Sequence, residues 1–437
     1  MPGVKKQLRR GLRYFTLICL LVFCIYAGQF LPIITGQVAK TMCSGIFISR
    51  RSPAAIDKED FSFPFSWVSY RVDLADSSVS TSFWGMAGRK AIFRNRLGAT
   101  LLSEITEAQL QRQTFVLARP APFSQDTVDW PMGDRTRATP VLGVNQQALA
   151  NVIREAFKAE RGTRALLIVY KGQIIAERYA PGFSARMPLI GWSMTKSLFN
   201  AVAGTLVREG RLDTAAPASM PGWEKDGRKD ITIAQLMQMT SGLHFFWFPL
   251  GPSDVTNMLF KARDMGAFAA REPLRHPPGT VWNYSDGNAN ILSGVIRRKL
   301  GDSLYYRWPY EQLLYKIGMF HTVLEPDAAG NFVASSYCYA TARDWARFGL
   351  LYLNDGVWNG QRLLPPGWVR WSTTHNKTKW GYGALWWTDE DWFACEGYDG
   401  QYVYVVPSKQ LVIVRLSLEK SFWQPGILVK AAMEAVQ

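Results

Sequence analysis

Ser193 and Lys196 stand three residues apart at the head of "GWSMTKSLFNAVAGTLVREGRLD" (191–213), a run that otherwise reads as a helix. A serine hydroxyl is a weak nucleophile until something takes its proton. At a helix start, unpaired N–H groups and the positive end of the dipole favour negative charge developing there. A lysine three residues on projects from the same face about one turn later. Packed among Met194, Leu198 and Phe199, it would lose charge stabilisation, and its pKa is expected to fall toward a value useful to a base. The competing reading is an N-capping serine followed by an exposed lysine, since Ser-x-x-Lys alone is a common string.

Two further stretches carry chemistry. "PPGTVWNYSDGNANILSGVIRRKLG" (277–301) reads as a Pro-Gly turn, then Tyr284-Ser285-Asp286, then a helix capped by Gly301. A tyrosine at the mouth of a helix can receive or relay a proton when cations lower its pKa. A half-buried ring with a satisfied hydroxyl is its ordinary alternative. "GYDGQYVYVVP" (397–407) frames the entry to a strand with two glycines, where backbone can approach a ligand closely. A strand N–H there, taken as that of Gln401, would make an oxyanion hole with the N–H of Ser193. The alternative is a tight turn before an edge strand.

Ser-x-x-Lys, Tyr-Ser-x and a glycine-framed strand, in that order, resemble the serine β-lactamase and penicillin-binding-protein superfamily. The closest branch is the one with esterases and 6-aminohexanoate-dimer hydrolase. "ITIAQLMQMTSGL", "YATARDWARFGLLYLNDGVWNGQRLLP" and "WGYGALWW" match the same pattern, so the resemblance covers roughly residues 141 to 420. It implies that Ser193 attacks a carbonyl and forms an acyl-enzyme, and that Lys196 takes its proton. Tyr284 would be base or relay to the leaving group, and the N–H groups of Ser193 and Gln401 would hold the oxyanion. Which of Lys196 and Tyr284 is the base is left open. A small amide or ester substrate is expected against Asp286, Tyr398, Gly400, Trp247 and His244, with no cofactor.

Two departures bear on the substrate. Asp286 stands where lactamases often carry asparagine, and a carboxylate cannot donate an amide hydrogen bond; Asn288 or Asn290 could substitute. Tyr398-Asp399-Gly400 replaces Lys-Thr-Gly, so the cation that would pair with a β-lactam or peptide carboxylate is missing. A penicillin-recognising β-lactamase or D,D-peptidase is therefore the weaker enzymatic alternative, and a non-catalytic hydrolase-like binding module is a third reading. "GDSL" at 301–304 follows a helix whose C-cap is Gly301, so Ser303 is read as structural, and no GxSxG occurs.

Elements must bring these residues together. "RALLIVYKGQIIAERYA" (164–180) is two β-rich runs about Lys171-Gly172, a hairpin signal. "QYVYVVP" and "LVIVRLSL" are strands split by "PSKQ". Strands at both ends of residues 141–437 thus bracket a largely helical middle. The expected fold is α+β, an antiparallel sheet built from both ends of the catalytic domain, flanked by helices and holding a helical insertion. "NQQALANVIREAFKAE" (145–160) is an expected helix. "SGLHFFWFPLGPSDV" (241–255) should be a loop, either core or a wall, lid or bilayer-touching patch about Trp247. His244 in it is more simply structural.

Ahead of this domain, residues 37–140 read as a lead-in with short β-like runs such as "SGIFIS" and "RKAIFRN", ending in a proline-rich linker at 119–140. Residues 1–36 carry Lys5, Lys6, Arg9, Arg10 and Arg13, then the apolar run "YFTLICLLVFCIYAGQFLPIIT" (14–35). That is about a membrane span in length, and its basic flank would stay in the cytoplasm. An uncleaved anchor is favoured over a signal peptide whose apolar run ends near Ala27. The domain would then lie in the periplasm of a bacterial inner membrane, or be secreted if cleavage occurs. The 437 residues are 48% hydrophobic and 19% charged, which excludes a disordered chain. The net charge of +15 lies partly at the N-terminus and otherwise in no aromatic-interleaved basic run, which argues against nucleic-acid binding. Four scattered histidines, with no CxxC or HExxH, give a metal site little support. Cys43, Cys338 and Cys395 could close one disulfide at most.

Overall fold

A computed structural model of the chain describes residues 2–120, 124–136, 141–419 and 425–437. Part of the expected linker, at 121–123 and 137–140, therefore lies outside the described residues. The expected central sheet is present, with six antiparallel strands. β5 (Thr163–Tyr170) and β6 (Gln173–Tyr179) come from the start of the domain. β12 (Trp387–Thr388), β13 (Phe393–Gly397), β14 (Gln401–Val406) and β15 (Leu411–Ser417) come from its end, in the order β12-β13-β14-β15-β5-β6. Lys171 and Gly172 form the two-residue turn, both with positive φ (49° and 76°), as the twist of a tight hairpin demands.

Alternation along the strands sends side chains to opposite faces, and both are covered. Leu166, Ile168 and Tyr170 meet the helices Gln146–Ala156 and Pro425–Glu434. Leu167 and Val169, with Val403 and Val412, meet the helices Met194–Arg208 and Ala342–Leu353. A three-stranded ribbon, β7 (Leu189–Ile190), β9 (Cys338–Ala340) and β8 (Val323–Leu324), leads the chain into the first of these helices. β10 (Val357–Trp358) and β11 (Gln361–Arg362) form a small hairpin.

The N-terminal third differs from expectation. Pro2–Phe47 is one helix of 46 residues, so it runs through residue 36 without a break, and most of the β-like "SGIFIS" is its last turn. A short apolar run is compatible with either state; burial decides, and Ile33, Val38, Ala39 and Met42 enter the main core from this helix. "RKAIFRN" is strand, in a separate antiparallel sheet of β1 (Ser69–Asp73), β2 (Ser78–Phe83), β3 (Met86–Arg94) and β4 (Gly98–Leu101). This sheet wraps the buried half of the helix. The other half, from Leu12 to Tyr26, exposes its large apolar side chains, and the helix from Arg10 is long and apolar enough to cross a membrane. All five cysteines are free thiols, Cys43, Cys338 and Cys395 being buried.

Candidate active site

The turn Gly191-Trp192-Ser193 delivers the candidate nucleophile. Trp192 takes the left-handed region (φ 46°), and Ser193 (φ −63°, ψ −10°) stands at the N-cap of Met194–Arg208 without making a side-chain cap bond. The hydroxyl is thus not spent on capping. Two glycines permit the closeness of this turn to the sheet. A Cβ on Gly191 would lie 2.5 Å from the Trp345 ring, and one on Gly397 would lie 2.2 Å from the Gly191 carbonyl oxygen.

Lys196 is 1% exposed, so the reading of an exposed lysine fails. Its Nζ donates to Ser193 Oγ (2.8 Å), Asp286 Oδ1 (2.8 Å) and the Ser335 carbonyl oxygen (2.9 Å). Three acceptors match the three hydrogens of an ammonium. The expected fall in its pKa is overturned: burial does push the group down, but the Asp286 carboxylate and Tyr284 outweigh it and hold the ammonium above the ordinary lysine value.

Asp286 opens the helix Asp286–Leu300 and is 2% exposed. Its Oδ1 pairs with Lys196, and its Oδ2 accepts from the Trp247 indole N–H at 2.9 Å. Both oxygens are engaged within the protein, so the substrate-facing position expected for Asp286 becomes that of the lysine's counter-ion. Trp247 is brought to the site through this bond.

Tyr284 precedes the same helix. Its side chain lies beside Ser193 and Lys196, both of which act on its phenol, and Lys196 Nζ sits 4.9 Å from its ring centroid. Burial pushes its phenol up, with Asp286 adding to it, against the lowering effect of Lys196 and Ser193. Aromatic rings enclose it: Trp387 stacks at 5.8 Å, with Tyr382 and Trp282 at 6.2 Å and Trp247 at 6.4 Å.

The glycine-framed strand closes the site from the sheet side. Gln401 is buried, its Nε2 donating to the carbonyls of Tyr398, Asp399 and Ser417 and its Oε1 accepting from the Ser417 N–H. It braces the loop 398–400 against β15. Gly400 (φ 78°) is a turn residue, and a Cβ on it would lie 2.6 Å from Arg415. Tyr398 packs edge-on against Trp192 at 6.2 Å. Among the described residues, the N–H groups of Ser193 and Tyr398 have no protein acceptor. The Asp399 carboxyl is pushed up to about 7 by burial, with Asp60 and Glu419 adding to it against Arg164.

His244 is turned to Asp254, 3.7 Å away, and does not join the cluster. Asn288 is buried, accepting from Ser241 Oγ through Oδ1 and turning its Nδ2 to Met239 Sδ (3.7 Å), away from the role of substitute donor. Asn290 grips Ser335 from both sides, accepting from its N–H (3.1 Å) and donating to its Oγ (3.2 Å), and so fixes the carbonyl that receives Lys196. This role for Asn290 and Ser335 carried no sequence signal, because a backbone carbonyl reads alike at every position. Tyr337, 6.2 Å from Trp192, is buried with an unpartnered hydroxyl among the described residues. No cluster of metal-ligating side chains occurs among the described residues.

Comparison with known proteins gives the same outline. Residues 149–422 match the family model described as beta-lactamase. A 6-aminohexanoate-dimer hydrolase of Paenarthrobacter ureafaciens is 26% identical over 343 residues, 69% of this chain and 86% of that protein. Among solved structures, a family VIII carboxylesterase matches with a TM-score of 0.54 at 16% identity, over 68% of this chain and 99% of that one. A penicillin-binding protein of Bacillus halodurans matches with a TM-score of 0.53 at 17% identity, over 66% and 99%. These last two likenesses concern the fold.

Proposed function

This chain belongs to the β-lactamase family, and from that premise we propose that it is a serine hydrolase cleaving an amide or ester through an acyl-enzyme on Ser193. The observation that carries the proposal is the contact of Lys196 Nζ with Ser193 Oγ at 2.8 Å, with the Tyr284 ring centroid 4.9 Å from that nitrogen.

With Lys196 taken as an ammonium, we propose Tyr284 as the base. As an ammonium donating to Ser193 Oγ, Lys196 occupies a lone pair of that oxygen and leaves its hydrogen to Tyr284. Tyr284, ionised with Lys196 beside it, takes that proton as Oγ attacks the carbonyl carbon. The tetrahedral oxyanion sits at the N–H groups of Ser193 and Tyr398, which replaces Gln401 as the second donor. Collapse breaks the bond to the leaving amine or alcohol, which takes the proton from Tyr284. Water then gives a proton to Tyr284 and attacks the ester, and Ser193 recovers that proton as the acid departs.

The names of its relatives, a 6-aminohexanoate-dimer hydrolase and a carboxylesterase, span amide and ester cleavage. With tyrosine, aspartate and glycine at 398–400, no lysine stands there to hold a substrate carboxylate, which favours a neutral or apolar acyl group over a penicillin. The exposed apolar half of the first helix supports an anchor, with the basic tip in the cytoplasm and the catalytic domain exported. Fluorophosphonate labelling and p-nitrophenyl ester turnover are expected of the wild type and lost in Ser193→Ala. Equal behaviour of the two proteins on a broad ester and amide panel overturns the proposal; covalent retention of a fluorescent penicillin on Ser193 would transfer it to the penicillin-recognising branch.

A further inference from the structure

The loop after Leu243 carries an exposed apolar strip. Phe246, Trp247, Phe248 and Leu250 are 54%, 41%, 44% and 62% exposed, and Phe246 stacks on Phe248 at 6.3 Å. Solvent-facing residues of this size in one short loop are costly unless something apolar covers them. Their position says what does. A Cβ on Gly251 would lie 3.5 Å from the Tyr26 hydroxyl, at the point where the exposed apolar half of the N-terminal helix ends. Just beyond, Lys261 Nζ donates to Gln29 Oε1 at 2.9 Å, which puts a cation where phosphate headgroups begin.

A second aromatic group stands at the same end of the domain. β3 runs beside the helix, Ala87 accepting from Thr35 Oγ1 and Phe93 stacking on Phe47 at 5.4 Å. The β2–β3 tip therefore points back toward the exposed half. It carries Trp84, stacked on Trp67 at 5.8 Å, with Phe63 edge-on to Trp67 at 5.0 Å, all three exposed. Exposed aromatics from separate elements, level with the end of an apolar helix, make an interfacial belt.

Trp247 belongs to this strip and to the site at once. Its N–H holds Asp286, and its ring lies against Tyr284. The candidate site thus adjoins the exposed aromatic strip. We infer that this aromatic face seats on the membrane surface and that the substrate is a bilayer-resident amphiphile whose ester or amide enters past Trp247. The substrate class rests on the hydrolase reading above; the seating does not.

The test uses the full chain in proteoliposomes. A nitroxide on Phe248→Cys, in a Cys19→Ser/Cys24→Ser background that removes the exposed thiols, reports depth by collision with oxygen against an aqueous nickel chelate. Burial at the headgroup–acyl boundary is expected; full access to the chelate overturns the seating, and a label shielded from both collision partners assigns the face to a second copy or a protein instead. In parallel, Phe246→Ser/Phe248→Ser/Leu250→Ser is assayed on a short soluble p-nitrophenyl ester and on a long-chain one held in vesicles. The variant should lose tenfold or more on the vesicle substrate and stay within twofold on the soluble one. Equal losses, or none, overturn the substrate class. A lipid-buried label with no Ser193-dependent turnover of either ester overturns the hydrolase reading, and the substrate class with it, while the seating stands.

Discussion

Asp286 governs the charge at the centre of the site. Its carboxylate holds the Lys196 ammonium against burial, and burial raises the Tyr284 phenol, so on the proposed mechanism the base-competent form is scarce at neutral pH. The ester hydrolysis rate is expected to climb from about pH 7 toward the alkaline end of the lysine and tyrosine range. Asp286→Asn removes a charge that raises the Tyr284 phenol, so on the proposed mechanism the rising limb of the pH profile, set by Tyr284, should move to lower pH even as the maximal rate falls. An unmoved limb in that variant would place the titrating group elsewhere. Asp399 offers a second titration, at the loop beside the strand end. Its folded pKa, about 7, lies above the ordinary 3.8, so the folded state holds the extra proton and stability falls as pH rises from about 4 to 7. Asp399→Asn tolerates the same positive φ and should raise the melting temperature over the wild type at pH 8 while matching it at pH 4. Ser193, Lys196 and Tyr284 were legible as types at telling spacings. The counter-ion role of Asp286 was not, because it depends on three segments far apart in the chain meeting at one point.

Among the elements, the N-terminal helix is tied to the rest through a buried ion pair. Lys40 forms an ion pair with Glu325 out of contact with water, and Glu325 also accepts from Ser44 Oγ (2.7 Å) and the Ala99 N–H (2.6 Å). Lys40 further lies 4.2 Å from the ring centroid of Tyr337. One carboxylate thus ties together the helix, the β1–β4 sheet and the catalytic domain. Removing one partner of a buried pair leaves an uncompensated charge, and Lys40→Met is expected to cost about 3–5 kcal/mol of stability. The double variant Lys40→Met/Glu325→Met should recover much of it; thermal unfolding of the full chain in detergent measures both, and a neutral Lys40→Met would refute the coupling. The hairpin at Lys171-Gly172 and the strands of 401–417 could be read from the sequence because turn chemistry and β-branched runs agree there. The last turn of the first helix could not, since a few apolar residues carry no period long enough to separate helix from strand.

For the molecule as a whole, a sheet assembled from the two ends of the catalytic domain was foreseeable from the placement of its strands, and it explains how Gly397 reaches Gly191 across about two hundred residues of sequence. The integration of the first helix was not foreseeable, because its partner surface, the β1–β4 sheet, had no strong pattern of its own. That helix passes from its exposed half into the core with no intervening loop; Pro32, lacking the N–H of a regular rung, sits at the crossing. On the anchored reading, bilayer thickness becomes a variable of catalysis. A leaflet too thin for the span would be met by tilting the helix, and a domain joined without slack must lean with it, carrying the mouth of the cleft toward or away from the lipid.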